Sequence, residues 1–324
     1  MAYGAETLRI DEAAEIEKIT RSIREYVTTF KRKGAIVGVS GGIDSGVVAS
    51  LCVRALGPER VFALHMPEQE SADETLGLST SLTDALGVES TVEDISPILA
   101  ASAAYRRRDD AIRTVVPEYT EGYRSKIVLP SVIDADTFRI YSVVVESPDG
   151  QRQTRRLTTE AYLEIVAATN FKQRVRKMLE YSHADRLNYA VAGTPNRLEY
   201  DQGFFVKLGD GSADFKPIAH LYKSQVYALA AVLGVPDAIR ERPSTTDTYS
   251  LPQGQDEFYF SLPYDRMDLC LYGMNNDVPI DDIAEATGLT GPQVERVFRD
   301  IVQKRRTTAY LHAQPALVEP VPIG

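Results

Sequence analysis

The sequence predicts an α/β fold in which a parallel β-sheet is flanked by helices. Short apolar runs rich in β-branched residues stand at 34–40, 61–66 and 189–193, as the buried strands of a parallel sheet do. The stretches between them carry helical periodicity. Strand, helix, strand in that order requires crossover connections, and crossovers make neighbouring strands parallel.

Residues 11–30 read as an amphipathic helix, with Ile16, Ile19, Ile23, Tyr26, Val27 and Phe30 at the spacing of one helical face. The run Gly34-Ala-Ile-Val-Gly-Val-Ser40 is the first strand, and a loop opening into a helix follows it. Residues 61–66 are the second strand, 79–86 a helix closed by Gly87, and 92–95 a third strand. The pattern then breaks over 103–168. This stretch holds a basic cluster, Arg106, Arg107 and Arg108, and a hairpin with arms at 138–145 and 151–157 joined by the turn Ser147-Pro-Asp-Gly150. It reads as an insertion within a single domain spanning 1–310. The α/β pattern resumes with a helix over 161–181, a strand over 189–193 and a helix over 221–233 that places Val226, Leu229, Ala230 and Leu233 on one face. Residues 280–303 read as two short helices around Gly288 and Pro292. Ile283, Leu289, Val294 and Val297 suit a packed pair, and the scarcity of basic residues argues against a DNA-binding helix-turn-helix. Residues 311–324, rich in Pro and Ala, read as an extended tail.

Composition narrows the function classes. A formal net charge of −10 over 324 residues argues against a protein whose main partner is nucleic acid, which needs a clustered positive field. No apolar run reaches membrane-spanning length, and the polar, acidic N-terminus is unlike a signal peptide. Two cysteines, Cys52 and Cys270, lack CxxC spacing and a nearby histidine, which fits a reducing cytoplasmic compartment and neither a disulfide framework nor a zinc site. Cys52 reads as a small buried hydrophobe.

The segment that carries chemistry is Ser40-Gly-Gly-Ile-Asp-Ser45, fed by a strand and left by a helix. Gly41 and Gly42 let the backbone turn tightly and approach a ligand closely. The unpaired N–H groups of the loop and first helical turn form an anion site suited to pyrophosphate, and Ser40 and Ser45 add hydroxyl donors. Asp44 would repel a phosphate by itself, so its natural use is to hold Mg²⁺ against the phosphate oxygens. The plainer reading, a Gly-rich turn with a capping aspartate, leaves the paired serines without a purpose.

This loop resembles the pyrophosphate-binding loop of the N-type ATP pyrophosphatases. Three further segments narrow the resemblance: Asn170-Phe-Lys-Gln-Arg-Val-Arg-Lys-Met178, Gly193-Thr-Pro-Asn-Arg-Leu-Glu199, and the block from Gly203 to Asp214 that contains Lys207 and Gly209-Asp-Gly211, with Pro217, Leu221 and Lys223 after it. In this order they are similar to segments of the ammonia-dependent NAD synthetases, and the match covers roughly residues 16–100 and 161–306. The fold implied is of the adenine-nucleotide α-hydrolase type, which is Rossmann-like. The activity implied is cleavage of ATP to AMP and pyrophosphate to activate a carboxylate, most simply that of deamido-NAD⁺, which ammonia then converts to an amide. The same chemistry on another carboxylic acid is the alternative, and a catalytically silent nucleotide-binding protein is a third reading that Asp44, Glu199 and Lys223 argue against. The chain shows no sign of a glutaminase, so ammonia is expected to arrive free or from a separate protein.

The resemblance also distributes roles. Ser40, Gly41, Gly42, Asp44, Ser45, Arg174, Thr194 and Lys223 fall to ATP, with a hydroxyl from Ser244 or Thr245 in the stretch Pro243-Ser-Thr-Thr-Asp247. Asp44, Thr194 and Lys223 are the catalytic candidates, Asp44 and Glu199 the Mg²⁺ ligands. Lys207, Asp210, Asp214 and Lys304 fall to the dinucleotide, and a homodimer is implied, with that site partly built by the second subunit. Each has a plainer reading beside it: a helix cap for Thr194, a surface ion pair for Glu199, a helix-surface lysine for Lys223, and a solvated basic face for Lys172, Arg174 and Arg176. The sequence departs from the family at Gln303, where a histidine is usual, and around 243–257.

Overall fold

The structure, a computed structural model, describes residues 3–129, 141–243, 248–254 and 259–322. The first helix, α1 (Glu12–Thr29), begins at an aspartate cap, where the Asp11 carboxylate accepts from the Ala14 N–H at 3.0 Å. It is followed by β1 (Ala35–Gly38), α2 (Ile43–Leu56), β2 (Val61–His65), α3 (Asp73–Leu86) and β3 (Glu89–Val92). The insertion comprises α4 (Ser96–Ala101), α5 (Ala104–Arg113), β4 (Arg124–Val128), β5 (Ser142–Glu146) and β6 (Arg152–Arg156). The chain returns through α6 (Thr159–Leu187), β7 (Ala190–Val191), α7 (Arg197–Gln202), α8 (Lys223–Val232) and α9 (Asp237–Arg240), and ends in α10 (Tyr264–Asn275), α11 (Ile280–Thr287) and α12 (Gly291–His312).

The expected parallel sheet has the order β3-β2-β1-β7, with every pairing parallel. Successive side chains of a strand point to opposite faces, and here both faces are covered. Ala35 and Val37 with Val61 and Ala63 join the core formed by α1, α2 and α8, whereas Ile36, Phe62 and Leu64 pack against Ala184 of α6. Burial on both sides explains why β1 and β2 read as continuous apolar runs. The chain leaves β1 outward through β2 to β3 and comes back on the other flank as β7, so β1 is the point where strand order reverses. In open α/β sheets that is where ligands bind, at the carboxyl ends of the strands.

Several expected boundaries shift. The third strand lies at 89–92 and not at 92–95. It is an edge strand with mostly exposed side chains, so polar residues conceal it, and Asp94 instead accepts from the Ser96 N–H at 2.8 Å to start α4. Helix α3 begins six residues earlier than the periodicity suggests, and α6 runs 29 residues. The hairpin forms with its turn at Ser147–Gly150 closed by the Gly150 N–H to the Ser147 carbonyl at 2.9 Å. Residues 138–140 of its first arm lie outside the described residues. An unexpected strand, β4, pairs antiparallel with β5 to make a three-stranded sheet. Ile127, Val143, Val145 and Leu157 pack with Ile112 of α5 and Ile165 of α6 in a cluster of their own.

The C-terminal helices follow a third cluster. Ile283, Leu289, Val294 and Val297 are all buried in it, with Met267, Leu271 and Ile301. Gly288 (φ +66°) closes α11, and Pro292 opens α12. The second helix is not short: it extends to His312, two residues into the stretch expected to be extended.

Helix α12 meets α7 at Gly203, the C-cap of α7. Its φ of +73° is left-handed, and a Cβ there would lie 2.3 Å from the Cβ of Thr308. Gly203→Ala should therefore cost about 2–4 kcal/mol, through backbone strain plus overpacking, measured by chemical denaturation. A change within experimental error would mean that the two helices part easily at this contact.

Candidate active site

A cavity of about 550 Å³ opens at the carboxyl end of β1 and takes in Ser40, Gly41, Gly42, Asp44 and Ser45. Gly41 has φ +72°, and a Cβ on it would come within 2.9 Å of the Thr75 carbonyl oxygen, so only glycine lets the loop turn here. The loop is stapled from within. Ser45 Oγ accepts the Ser40 N–H at 3.2 Å and donates to the Gly42 carbonyl at 2.9 Å. Ser45 is buried and shapes the loop, whereas Ser40 is exposed, with its Oγ 3.3 Å from Ser45 Oγ.

Asp44, in the first turn of α2, is gripped from two sides. Its Oδ2 takes the Lys223 ammonium at 2.5 Å, and its Oδ1 accepts from Asn196 Nδ2 at 3.1 Å. Lys223 is fully buried and lies behind Asp44, away from the cavity wall. Its own backbone N–H and that of Ser224 donate to the Asp268 carboxylate at 3.1 and 2.8 Å, which caps α8 and sets the lysine in place. Burial opposes the Lys223 charge, but Asp44 and then Glu199 outweigh it and raise its pKa above the ordinary lysine value. Glu199 is buried beside this pair at the start of α7. Its Oε2 accepts from the Asn196 N–H at 3.0 Å in a capping box. Burial, and secondarily the Asp44 charge, push the Glu199 carboxyl up to about 8. Neither Lys223 nor Glu199 is the exposed side chain that the plainer readings supposed.

Thr194 follows β7 and lines the cavity, as does Arg174, which is exposed and whose Nε donates to the Lys207 carbonyl at 3.3 Å. Lys207 and Asp210 also line it. Lys207 Nζ donates to the Tyr310 carbonyl at 2.7 Å, and Asp210 accepts from the Val206 N–H at 2.8 Å to hold the glycine-rich turn. Two of the residues expected at the dinucleotide make bonds within the chain and do not line this cavity. Asp214 accepts from the Val191 N–H at 2.7 Å and so completes the end of β7. Lys304 is buried between α12 and its neighbours, bonded to the Tyr259 carbonyl and Asp300, each at 2.7 Å. Neither is among the cavity-lining residues. Ser244 and Thr245 lie outside the described residues. Gln303 is exposed and does not line the cavity.

Of the basic triplet on α6, Arg174 is exposed but Lys172 is not part of a solvated face. Lys172 is buried, and its ammonium meets Glu68 at 2.9 Å, Glu70 at 2.8 Å and the Thr248 carbonyl at 3.0 Å. Arg108 of α5 clasps Glu70 at 2.6 Å, and Tyr105 donates to Glu68 at 2.8 Å. This buried network welds the insertion to the cavity, and sequence reasoning did not find it. The available signals were the glutamates just after β2 and the one arginine of the basic cluster that α5 turns inward. The insertion also contributes to the wall. Tyr141 and Tyr162, stacked with centroids 4.1 Å apart, line the cavity with Tyr249.

Known proteins place this geometry in a family. The family model described as NAD synthase matches residues 15–121 and 132–313. A Rhizobium meliloti protein named NH(3)-dependent NAD(+) synthetase is 56% identical over 321 residues, covering 99% of this chain and 96% of its own length. One of that name from Thermotoga maritima is 35% identical over 269 residues, covering 82% of this chain and 89% of its own. Among solved structures, the NH3-dependent NAD synthetase of Campylobacter jejuni superposes with a TM-score of 0.62 at 25% identity, over 96% of this chain and 100% of that one. An NMN synthetase from Francisella tularensis has a TM-score of 0.67 at 20% identity, over 97% and 100%, a likeness that speaks for the fold alone. By the extent of these matches, the chain belongs to the NAD synthase family.

Proposed function

We propose that the chain catalyses deamido-NAD⁺ + ATP + NH₃ → NAD⁺ + AMP + pyrophosphate. The observation that carries this reading is the stapled 40–45 loop opening into a cavity beside Asp44, in a chain that is 56% identical to a protein named for this activity. A carboxylate oxygen of the acceptor attacks the α-phosphorus of ATP, and the bond to pyrophosphate breaks. Ammonia then adds to the acyl-adenylate carbonyl, AMP leaves and the nitrogen loses a proton. No side chain acts as nucleophile, so the protein contributes position and charge. The loop N–H groups receive the departing pyrophosphate. Thr194 and Arg174, at the cavity wall, are placed to hold the nucleotide. The aromatic wall from the insertion shields the adenylate from water.

The acidic pair suits a hard divalent cation. Burial first, and the Asp44 charge second, raise the Glu199 carboxyl above neutral pH, a cost that a cation would relieve by taking both side chains as oxygen ligands. Among the described residues no group of three or more His, Cys, Asp or Glu stands ready to enclose a metal. Asp44 and Glu199 would hold Mg²⁺ here, and it would neutralise charge on the phosphate oxygens. The same reading takes the chain to work as a homodimer in the cytoplasm, the dinucleotide site completed by the second copy. Among the described residues no helix is long and apolar enough to cross a membrane.

Three outcomes are expected. With purified protein, ammonium supports amide formation and glutamine does not, and in a panel of acids deamido-NAD⁺ is used well ahead of its mononucleotide half. Preference for another acid would move the reading to that substrate. Asp44→Asn should slow pyrophosphate release on the order of 10²-fold or more; near-normal turnover would remove Asp44 from the reaction. Glu199→Gln tests the buried acid. A carboxyl whose folded pKa is raised favours the folded state at low pH, and that stability is lost as pH rises from about 4.5 to about 8. In metal-free buffer the variant should melt above the wild type at alkaline pH, with the gap closing towards the lower bound of that window. Parallel melting curves at all pH values would show that Glu199 titrates normally.

A further inference from the structure

We propose that Arg242 is a phosphate-binding residue of the ATP site, held in reserve against Glu74 until the polyphosphate arrives. The inference rests on the reading of the 40–45 loop as the phosphate site and adds a cation that neither the loop nor the Asp44–Lys223 pair provides. Lys223 is buried behind Asp44 and does not line the cavity. Lys172 has its ammonium bonded to two glutamates and a carbonyl. Arg176 lines the cavity with its Nε on the Met66 carbonyl, at the end of β2. The departing pyrophosphate carries several negative charges, and backbone N–H groups alone give it only partial ones.

Arg242 lines the same cavity and adjoins the loop through one shared residue. Its Nη2 is 3.5 Å from Thr75 Oγ1, and the carbonyl of that threonine is the group packed against Gly41. Thr75 belongs to the first turn of α3, as does Glu74, whose carboxylate lies 3.1 Å from the Arg242 Nε. The two partners of this ion pair differ in setting. The Arg242 side chain is 14% exposed, whereas that of Glu74 is 67% exposed. A carboxylate so open to water binds a guanidinium weakly. A polyphosphate offers the same planar fork two oxygens with more charge, and arginine is the side chain suited to that exchange. Arg242 thus moves only from one face of the α3 N-terminal turn to the neighbouring loop.

The test is calorimetric titration of inorganic pyrophosphate, and separately of AMP, into the wild-type chain, Arg242→Met and Glu74→Gln. Arg242→Met should bind pyrophosphate roughly tenfold or more weakly, the loss expected for a charge-assisted contact, and keep AMP affinity within about twofold. Glu74→Gln should bind pyrophosphate as well as the wild type or better, because it frees the arginine. Three results would overturn the proposal: unchanged pyrophosphate affinity in Arg242→Met, an equal loss of AMP, or a loss in Glu74→Gln as large as that in Arg242→Met. The last would make the pair a clamp for the loop and nothing more. Should the methionine variant fold poorly, Arg242→Gln gives the same comparison with a polar side chain. A wild-type chain that failed to bind pyrophosphate would remove the phosphate-loop reading and this proposal with it. Binding that is indifferent to Arg242 removes the proposal alone.

Discussion

Two carboxylates and one ammonium are buried together at the carboxyl end of the sheet, and the site is arranged around keeping them there. Taking an ion out of water costs several kcal/mol, and removing one member of a buried pair leaves the other uncompensated. Asp44 therefore needs Lys223, Lys223 needs the backbone cap from Asp268, and Glu199 needs the Asn196 turn. These residues come from α2, α7, α8 and α10, four elements far apart in the chain. Their charges meet only if the sheet, the helix pair and the C-terminal bundle are all in place. At neutral pH the ammonium answers the Asp44 charge, and Glu199, raised to about 8 by burial, stays neutral beside them.

The sheet positions this group by its topology. Reversal of strand order at β1 leaves a crevice between the ends of β1 and β7, and the stapled loop fills the β1 side of it. On the other side β7 pairs with β1 over only two residues, after which Asp214 takes the Val191 N–H. Without that carboxylate the short strand would carry an unsatisfied buried donor. An aspartate that resembles a substrate ligand in sequence thus also belongs to the frame of this chain.

What was legible in the sequence follows from burial. β1 and β2 announced themselves because both of their faces are covered, and the 40–45 loop because glycine, serine and aspartate each have a distinct reason to stand there. β3 was misplaced because an exposed edge strand has no apolar signature. The 189–193 run looked like a longer strand than β7 because its residues are buried by loops as well as by pairing. Lys172 looked like part of a solvated face because periodicity shows which side of a helix a residue occupies, not what acid waits opposite. Glu68, Glu70 and Arg108 are brought to it by two other segments. The tyrosines of the wall were invisible for the same reason: Tyr141, Tyr162 and Tyr249 share no local pattern and are neighbours only in space. Family resemblance reaches furthest at the loop and the segments after it, whose residues are contiguous in motifs, and is least informative where the insertion shapes the wall.

The insertion's three-stranded sheet brings its own small core and joins the rest of the molecule through α5, through the length of α6 and through one buried charge hub. At 29 residues, α6 is about 43 Å long, so one end can belong to the variable wall while the other is fixed against the central sheet. Remodelling the antiparallel sheet changes the shape of the cavity without disturbing the packing beneath the phosphate loop. The two halves of the site thus stand under separate constraints, and a lineage in need of a new acid has one wall to rebuild and no reason to touch the other.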